Sequence, residues 1–223
     1  IANMLKNGFR AGDISVAVAN LAQNTQVIWE KANLYGLPVY IEESVNLCDT
    51  ALFKFFDNLF DFVASGYKRE YVQNFWQSGF LGLDMFQRGQ IANILSQNYF
   101  YDQNFEKTQF FDEKYDFYAN ILKNFAKQTK LCKTTLEFCT LLQNTLLQFD
   151  CQNVLQKQAE NYATQGDLKQ EKIFLQIYEK FEKAIQTFAQ ILGDEKFVLS
   201  KFQEDFSLFC QNIKISTVPI RSN

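Results

Sequence analysis

The feature that most constrains the fold is a helical repeat of apolar residues that starts near residue 48 and continues to about residue 211. Apolar side chains recur there every three to four residues, the spacing that places them on one face of an α-helix. Many of them are Phe, of which the chain has 24, while only 2 Pro occur in 223 residues. The pattern predicts a mainly α-helical chain with a Phe-rich core and about eight helices. We expect helices over residues 52–63, 67–77, 86–98, 105–128, 134–149, 154–163, 167–192 and 200–211.

Three short runs rich in β-branched residues flank this helical region. Residues 13–19 and 37–41 are predicted to be buried strands on either side of a helix at residues 23–34, and residues 213–219 a third strand. A β-α-β pattern favours a right-handed parallel crossover. The terminal strand needs a partner because unpaired buried backbone groups are costly, and the first two strands are the obvious candidates. We therefore predict a helical insertion attached to a small parallel β-α-β remnant.

Two domains follow from this layout. Residues 1–45 and 212–223 are expected to form the edge of a sheet-containing domain, and residues 46–211 an inserted helical domain. Most strands of that sheet would then lie outside this chain. Because the first residue is Ile rather than Met, we expect the chain to be processed or, preferably, a piece of a longer protein.

Composition excludes several classes of function. The chain has no His, so catalytic triads, zinc sites and general bases that need imidazole are absent. No Gly-rich loop followed by Lys is present to cradle phosphates. A net charge of −3 is unlike that of a protein whose whole surface binds nucleic acid. No apolar run reaches the ~18 residues of a membrane-spanning helix. The 5 Cys have no metal-binding spacing, so we expect free thiols.

Pairs of carboxylates and a few aromatic residues are weak candidates for chemistry. Adjacent acids occur at residues 42–43, 194–195 and 204–205. Neighbouring side chains on a helix point about 100° apart and do not converge on a metal by themselves, so the sequence favours surface or capping positions for them. Trp76 and Tyr101 could stack on bases, but core packing is the favoured interpretation. We predict no catalytic site in this chain.

Four lysines form a pattern of positive charge that is typical of a phosphate-binding surface. Lys123, Lys127, Lys130 and Lys133 are spaced 4, 3 and 3 residues apart, so a helix running through them would place all four on one face. Such a stripe can follow a phosphate backbone. The alternative, which the sequence favours, is a solvated face opposite the apolar residues of the same helix. Those apolar residues are Ile121, Leu122, Phe125 and Leu131. The stripe is nevertheless the best residue-level candidate for DNA contact.

Two passages near the N-terminus resemble the UvrD-like DNA helicases of superfamily 1. They are Asp13-Ile-Ser-Val-Ala-Val18 and Tyr35-Gly-Leu-Pro-Val-Tyr-Ile41. Later stretches are similar to the AddB/RexB subunit of the AddAB/RexAB helicase–nucleases. These stretches are residues 66–81, 91–99, 163–168, 192–196 and 218–223. These matches occur in the same order as in the family, and the resemblance that they define covers most of the chain and is weakest over residues 100–160.

The resemblance implies a specific place for this chain. Residues 1–45 and 212–223 would be the edge of a RecA-like (2A) domain, and residues 46–211 its inserted helical (2B-like) domain. The A subunit would supply the ATP-driven motor. The family's nuclease carboxylates and iron–sulfur cysteines would lie mostly beyond residue 223, so no catalytic, cofactor or metal residue is carried over to this chain. The parent complex would use ATP, Mg²⁺ and an iron–sulfur cluster.

Three functions are therefore compared. The first is a non-catalytic part of a helicase–nuclease subunit that braces DNA and the A subunit during double-strand-break processing, in the bacterial cytoplasm and without a membrane partner. The second is a stand-alone helical module that binds protein partners and exposes an apolar patch. The third is a metal-dependent nuclease, which the missing His and the dispersed acids disfavour.

Overall fold

The computed structural model describes residues 1–19, 21–37, 39, 41, 44–97 and 113–216. The chain divides into two compact units, one within residues 1–43 and a larger one within residues 44–219. The smaller unit contains α1 (Ala2–Lys6) and α2 (Leu21–Leu34). The larger unit contains β1 (Ser44–Asn46), α3 (Ala51–Ala64), α4 (Arg69–Gln77), α5 (Met85–Gln97), α6 (Glu113–Leu131), α7 (Thr135–Gln148), α8 (Cys151–Thr164), α9 (Leu168–Leu192), α10 (Leu199–Gln211) and β2 (Lys214–Ser216).

The mainly α-helical prediction is confirmed, and capping residues explain several of the helix boundaries. The Thr50 side chain accepts a hydrogen bond from the Phe53 amide at 3.3 Å where α3 begins. At the start of α9, the Asp167 carboxylate accepts from the Gln170 amide at 3.0 Å, as predicted. These contacts satisfy amide groups that have no partner within the first helical turn.

The terminal strand forms as predicted at residues 214–216, but its partner and direction differ from the prediction. It pairs antiparallel with β1, and Val45 lies opposite Ile215. The short sheet is antiparallel because β1 leads into the helical body and β2 leaves it in the opposite direction. Ile215 is fully buried against that body, so the sheet belongs to the larger unit.

The parallel β-α-β arrangement is not found in the described residues. Residues 14–18 form no strand, and a short 3₁₀ turn at Ala11–Asp13 precedes them. Val16 is 64% exposed, so this run is not the buried strand that its alternation predicts. Two positions of the other predicted strand, 38 and 40, lie outside the described residues. The helix predicted between them is present as α2.

Stacked and edge-on aromatic rings fill the core of the larger unit. Phe181 of α9 contacts Phe53 and Phe56 of α3, with ring centroids 6.3 and 5.3 Å apart. Phe206 of α10 packs on Phe53 and Phe181 at 6.2 and 6.0 Å. All four side chains are at most 6% exposed. The Phe side chains of the sequence repeat therefore pack α3, α9 and α10 against one another.

None of the described helices has the combination of length and apolar character required to cross a membrane. The longest of them, α9, has 25 residues and carries seven charged side chains between Lys169 and Lys183.

Candidate nucleic-acid interface

Three of the four predicted lysines lie on one face of α6. Lys127 and Lys130 are exposed and Lys123 is partly exposed. The opposite face of the helix is buried, with Leu122 at 0% and Phe125 at 1% exposure. The helix is therefore amphipathic in the predicted sense, and its charged face is turned outward.

Leu131 does not belong to that buried face. Its side chain is 60% exposed, whereas the sequence groups it with the buried apolar residues of α6. It is the last residue of the helix and points toward α7 rather than into the core. Asp116, seven residues before Lys123, shares the lysine face at its N-terminal end.

The fourth lysine is separated from this face, because α6 ends at Leu131. Lys133 lies in the turn before α7, where its amide donates to the Glu137 carboxylate at 2.6 Å. Its carbonyl accepts from the Phe197 amide at 2.9 Å. Thr134 and Glu137 form a capping box that starts α7, so the helix cannot continue through Lys133. The structure thus groups three lysines and places the fourth on a turn.

Lys130 joins this face to a second basic segment. Its Nζ donates to the Tyr67 hydroxyl at 2.7 Å and lies 4.8 Å from the centre of the Tyr67 ring. Lys68 and Arg69 follow Tyr67 directly, and Lys68 is exposed. Residues from two parts of the chain that are 63 positions apart therefore contribute positive charge to one surface. No sequence pattern signals this contact.

Tyr67 is held in an unusual backbone conformation. Its φ is 71°, and that of the preceding Gly66 is also 71°. Gly66 adopts this left-handed conformation at little cost, but for Tyr67 it costs roughly 1–2 kcal/mol. The ring is 5% exposed and packs on Phe62 with centroids 4.9 Å apart, which offsets that cost. Tyr67 is therefore a fixed support for the Lys130 side chain.

A pair of carboxylates that sequence analysis missed lies elsewhere, on α3. Asp57 and Asp61 are one turn apart, and Gln203 Nε2 donates to both at 2.9 Å. Burial raises the pKa of Asp57, the nearby Asp61 raises it further, and the Gln203 hydrogen bond opposes both effects. Within the described residues, no three His, Cys, Asp or Glu side chains are close enough to hold a metal ion. The pair therefore does not fit a Mg²⁺ site.

The predicted acidic pairs are at the surface where they are described. Glu195 forms an exposed ion pair with Lys201 at 2.9 Å, and Glu204 is exposed. Residues 42–43 lie outside the described residues. Trp76 is fully buried, as predicted, while Tyr101 also lies outside the described residues.

All five cysteines are free thiols in the structure, as expected. Burial raises the pKa of Cys139 to about 12, so its thiol stays protonated at neutral pH. Burial raises the pKa of Cys151 and Cys210 as well. These three lie on different helices, and the described residues do not fit an iron–sulfur cluster.

Three curated proteins, each named as the B subunit of an ATP-dependent helicase/deoxyribonuclease, are similar to this chain over nearly its whole length. The protein of Caldanaerobacter subterraneus subsp. tengcongensis is 19% identical over 232 residues, covering 94% of this chain. Those of Ruminiclostridium cellulolyticum and Acetivibrio thermocellus are 20% and 19% identical and cover 96% and 95% of it. No family model matches the chain.

The chain spans about a fifth of the length of these relatives, 20% in each case. The similarity therefore concerns one region of a much longer protein. Three alignments that each cover at least 94% of the chain agree on the same kind of protein. They also agree with the resemblance of residues 66–81 and 192–196 to the AddB/RexB proteins. The chain is a distant relative of the B subunit of the ATP-dependent helicase/deoxyribonucleases.

Proposed function

We propose that this chain is a non-catalytic part of the B subunit of a helicase–nuclease, and that it braces DNA and the A subunit during double-strand-break processing. The observation that carries the proposal is the similarity to the B subunit over 94% to 96% of the chain. ATP, Mg²⁺ and an iron–sulfur cluster would be bound by other parts of the complex, in the bacterial cytoplasm.

We place the edge of a RecA-like domain at residues 1–45 and 212–223; its support comes from the smaller unit, within residues 1–43, because β1 and β2 pack in the larger unit. Large apolar side chains are exposed in the smaller unit, including Val16 at 64%, Leu34 at 69% and Tyr35 at 67%. Exposed apolar area costs about 25 cal/mol per Å² relative to burial, so these side chains would gain from a covering surface. Further strands and helices of a RecA-like domain would supply one, and residues 46–211 would be its helical insertion.

The lysine face of α6 supports the DNA-contacting part of the proposal. Lys123, Lys127 and Lys130 present three positive charges on a helix whose other side is fixed in the core. Lysines arranged in this way neutralise phosphates and release counterions, which makes binding strongly dependent on salt. Lys133 contributes a further charge from the turn at the end of the helix.

The experiment measures DNA affinity of the 223-residue chain by fluorescence anisotropy at several salt concentrations. The test variant replaces Lys123, Lys127 and Lys130 with Glu. We expect weaker binding and a salt slope reduced by about 2, because each phosphate contact on a single strand contributes about 0.7 to the slope. Unchanged affinity and an unchanged slope would refute the contact.

A matched control carries the same change in net charge at other sites. Lys54, Lys157 and Lys183 are exposed and lie on α3, α8 and α9, away from the lysine face of α6. Their replacement with Glu should leave the salt slope within experimental error of the wild-type value. Equal losses in the control and the test variant would mean that only the overall charge matters.

The alternative function is a stand-alone helical module that binds protein partners. Exposed apolar side chains at the start of α5 favour it, since Met85 is 91% and Phe86 is 73% exposed. Absence of DNA binding by the chain, together with a native polypeptide of about this length, would favour this alternative.

A further inference from the structure

An open groove runs between α6 and α7, with a volume of about 490 Å³. The two helices are antiparallel neighbours joined by the short turn at residues 132–134. The α6 side is formed by Asn124, Gln128 and Leu131, which recur at intervals of four and three residues. The groove is therefore a furrow along two packed helices, and its lining residues on α7, Glu137 to Gln148, span roughly 17 Å at 1.5 Å per residue.

Uncharged amide side chains dominate the groove. Asn124 and Gln128 face it from α6, and Asn144 and Gln148 face it from α7. All four are exposed, and within the described part of the chain no side-chain hydrogen bond occupies any of them. Each amide group offers both a donor and an acceptor, the combination that pairs with the edges of nucleobases.

One edge of the groove is positively charged. Lys127 is exposed and is the helical neighbour of both Asn124 and Leu131, at i−3 and i+4. Lys123 precedes it by one turn. Among the described residues that line the groove, Glu137 is the only one with a carboxylate. Its oxygen accepts from the amides of Lys133 and Thr134, which lowers its capacity to repel a phosphate.

An exposed aromatic ring lies on the same side of α6, one to two turns beyond the residues that line the groove. Phe117 is 56% exposed and is seven residues before Asn124, so both lie on the same side of α6. Its ring contacts Tyr118 edge-on at 5.4 Å, and Tyr118 stacks on Phe149 at 6.2 Å. The Tyr118 contact brings this turn of α6 close to the end of α7, where Gln148 precedes Phe149. An exposed ring of this kind offers a stacking surface for a base.

From this arrangement we propose that the α6–α7 groove binds single-stranded DNA, with phosphates on Lys123 and Lys127 and bases toward the amides and Phe117. The inference rests on the proposed function. It deepens that function by stating that the bound DNA is single-stranded and which side of the groove faces its phosphates and its bases. A single strand is favoured over a duplex because stacking on Phe117 needs an exposed base face, which paired and stacked bases do not offer. Binding would depend little on sequence, since every base has a face that can stack.

The test compares two labelled probes of equal charge on the full 223-residue chain. One is a mixed-sequence single strand of about 12 nucleotides, within the usual site sizes for such proteins, and the other is an abasic strand with the same phosphates. We expect the base-containing strand to bind about tenfold more tightly, in line with stacking on one aromatic ring. A Phe117→Ala variant should lose this preference and keep the salt slope. A Phe86→Ala variant, at a similarly exposed Phe on α5, should retain the preference.

A second measurement detects stacking directly and does not depend on removing a side chain. In a Phe117→Trp variant, the added fluorescence should be quenched by the base-containing strand and not by the abasic strand. Substitution of Asn124 and Gln128 by Ala should weaken binding of the base-containing strand and leave binding of the abasic strand unchanged.

The outcomes separate this inference from the proposed function. Equal affinity for both probes, with a salt slope that still depends on the lysines, would overturn the groove and leave the DNA contact standing. A third labelled probe, a duplex of the same length, should bind less tightly than the single strand, and tighter binding of the duplex would likewise overturn the groove. Failure of the wild-type chain to bind any DNA would overturn both. Base-dependent binding that requires Phe117 supports both.

Discussion

Substitution of Phe138 by Ala should destabilise the larger unit more than a typical core substitution. Phe138 lies on the buried side of α7 and is 0% exposed. Four other rings surround it, with centroids 4.4 Å away for Phe197, 4.7 Å for Phe202, 5.7 Å for Phe60 and 6.1 Å for Phe125. These rings come from three different helices and the segment before α10, so one residue joins four parts of the fold.

The magnitude follows from those contacts. Replacement of a buried Phe by Ala costs about 3–5 kcal/mol, and the loss is largest where the surrounding structure cannot collapse into the cavity. The rings around Phe138 are each anchored in their own element, and aromatic pairs add about 0.5–1.5 kcal/mol each. We therefore expect a loss of roughly 4–5 kcal/mol in the free energy of unfolding. Phe138→Leu, which keeps most of the volume, should cost less than about 2 kcal/mol.

Urea denaturation followed by circular dichroism in the far ultraviolet measures this loss. With a slope of ~3 kcal/mol per molar urea, the Phe138→Ala midpoint should fall by about 1.5 M. Leu136, on the same helix but 51% exposed, is the matched control. Its replacement by Ala should change stability by no more than about 0.5 kcal/mol. A Phe138→Ala midpoint within about 0.3 M of wild type would refute the role assigned to this ring.

Two further substitutions test local features of the fold. Thr134→Ala removes the capping hydrogen bond of α7 and should cost about 1 kcal/mol in urea denaturation, whereas Thr134→Ser should cost little; equal losses would argue against the cap. Because burial and then Asp61 raise the pKa of Asp57 above its usual 3.8, the folded chain holds that proton to higher pH than the unfolded chain, and stability falls as pH rises through this range. Asp57→Asn keeps an acceptor for Gln203, so its stability relative to wild type should increase as the pH rises above about 3.8; a difference that stays constant with pH would contradict the shift.

The helices are well predicted from the sequence because their signals are local. The cap at Asp167 follows from residues a few positions apart, and α9 begins where that cap predicts. The core is also predictable, since the Phe repeat that identifies α3 as a buried helix is the same set of side chains that packs there. Trp76 is buried for the same reason.

Strands are harder to predict because they depend on a partner. The alternation at residues 13–19 shows a preference for extended structure, but no strand among the described residues pairs with residues 14–18. The short β1 has only three residues and no alternating pattern long enough to recognise. Its pairing with β2 requires the packed helices to bring the two ends of the helical region together, and this depends on tertiary structure.

The candidate site also has features that the sequence predicts and features that it does not. The lysine face of α6 can be read from spacing alone, and the capping box after it could have shown that Lys133 lies outside the helix. The contact between Lys130 and Tyr67 could not be predicted, because it joins residues 63 positions apart through an unusual backbone turn. The groove likewise depends on how α6 and α7 pack together.

The most direct test of the central claim is the size and activity of the native polypeptide that contains this sequence. An antibody raised against the 223-residue chain should detect a band several times larger than 26.0 kDa, since the chain spans only 20% of the length of its relatives. Material captured by the antibody should degrade linear duplex DNA when ATP is added. A band near 26.0 kDa, with no ATP-dependent degradation, would contradict the assignment to a helicase–nuclease.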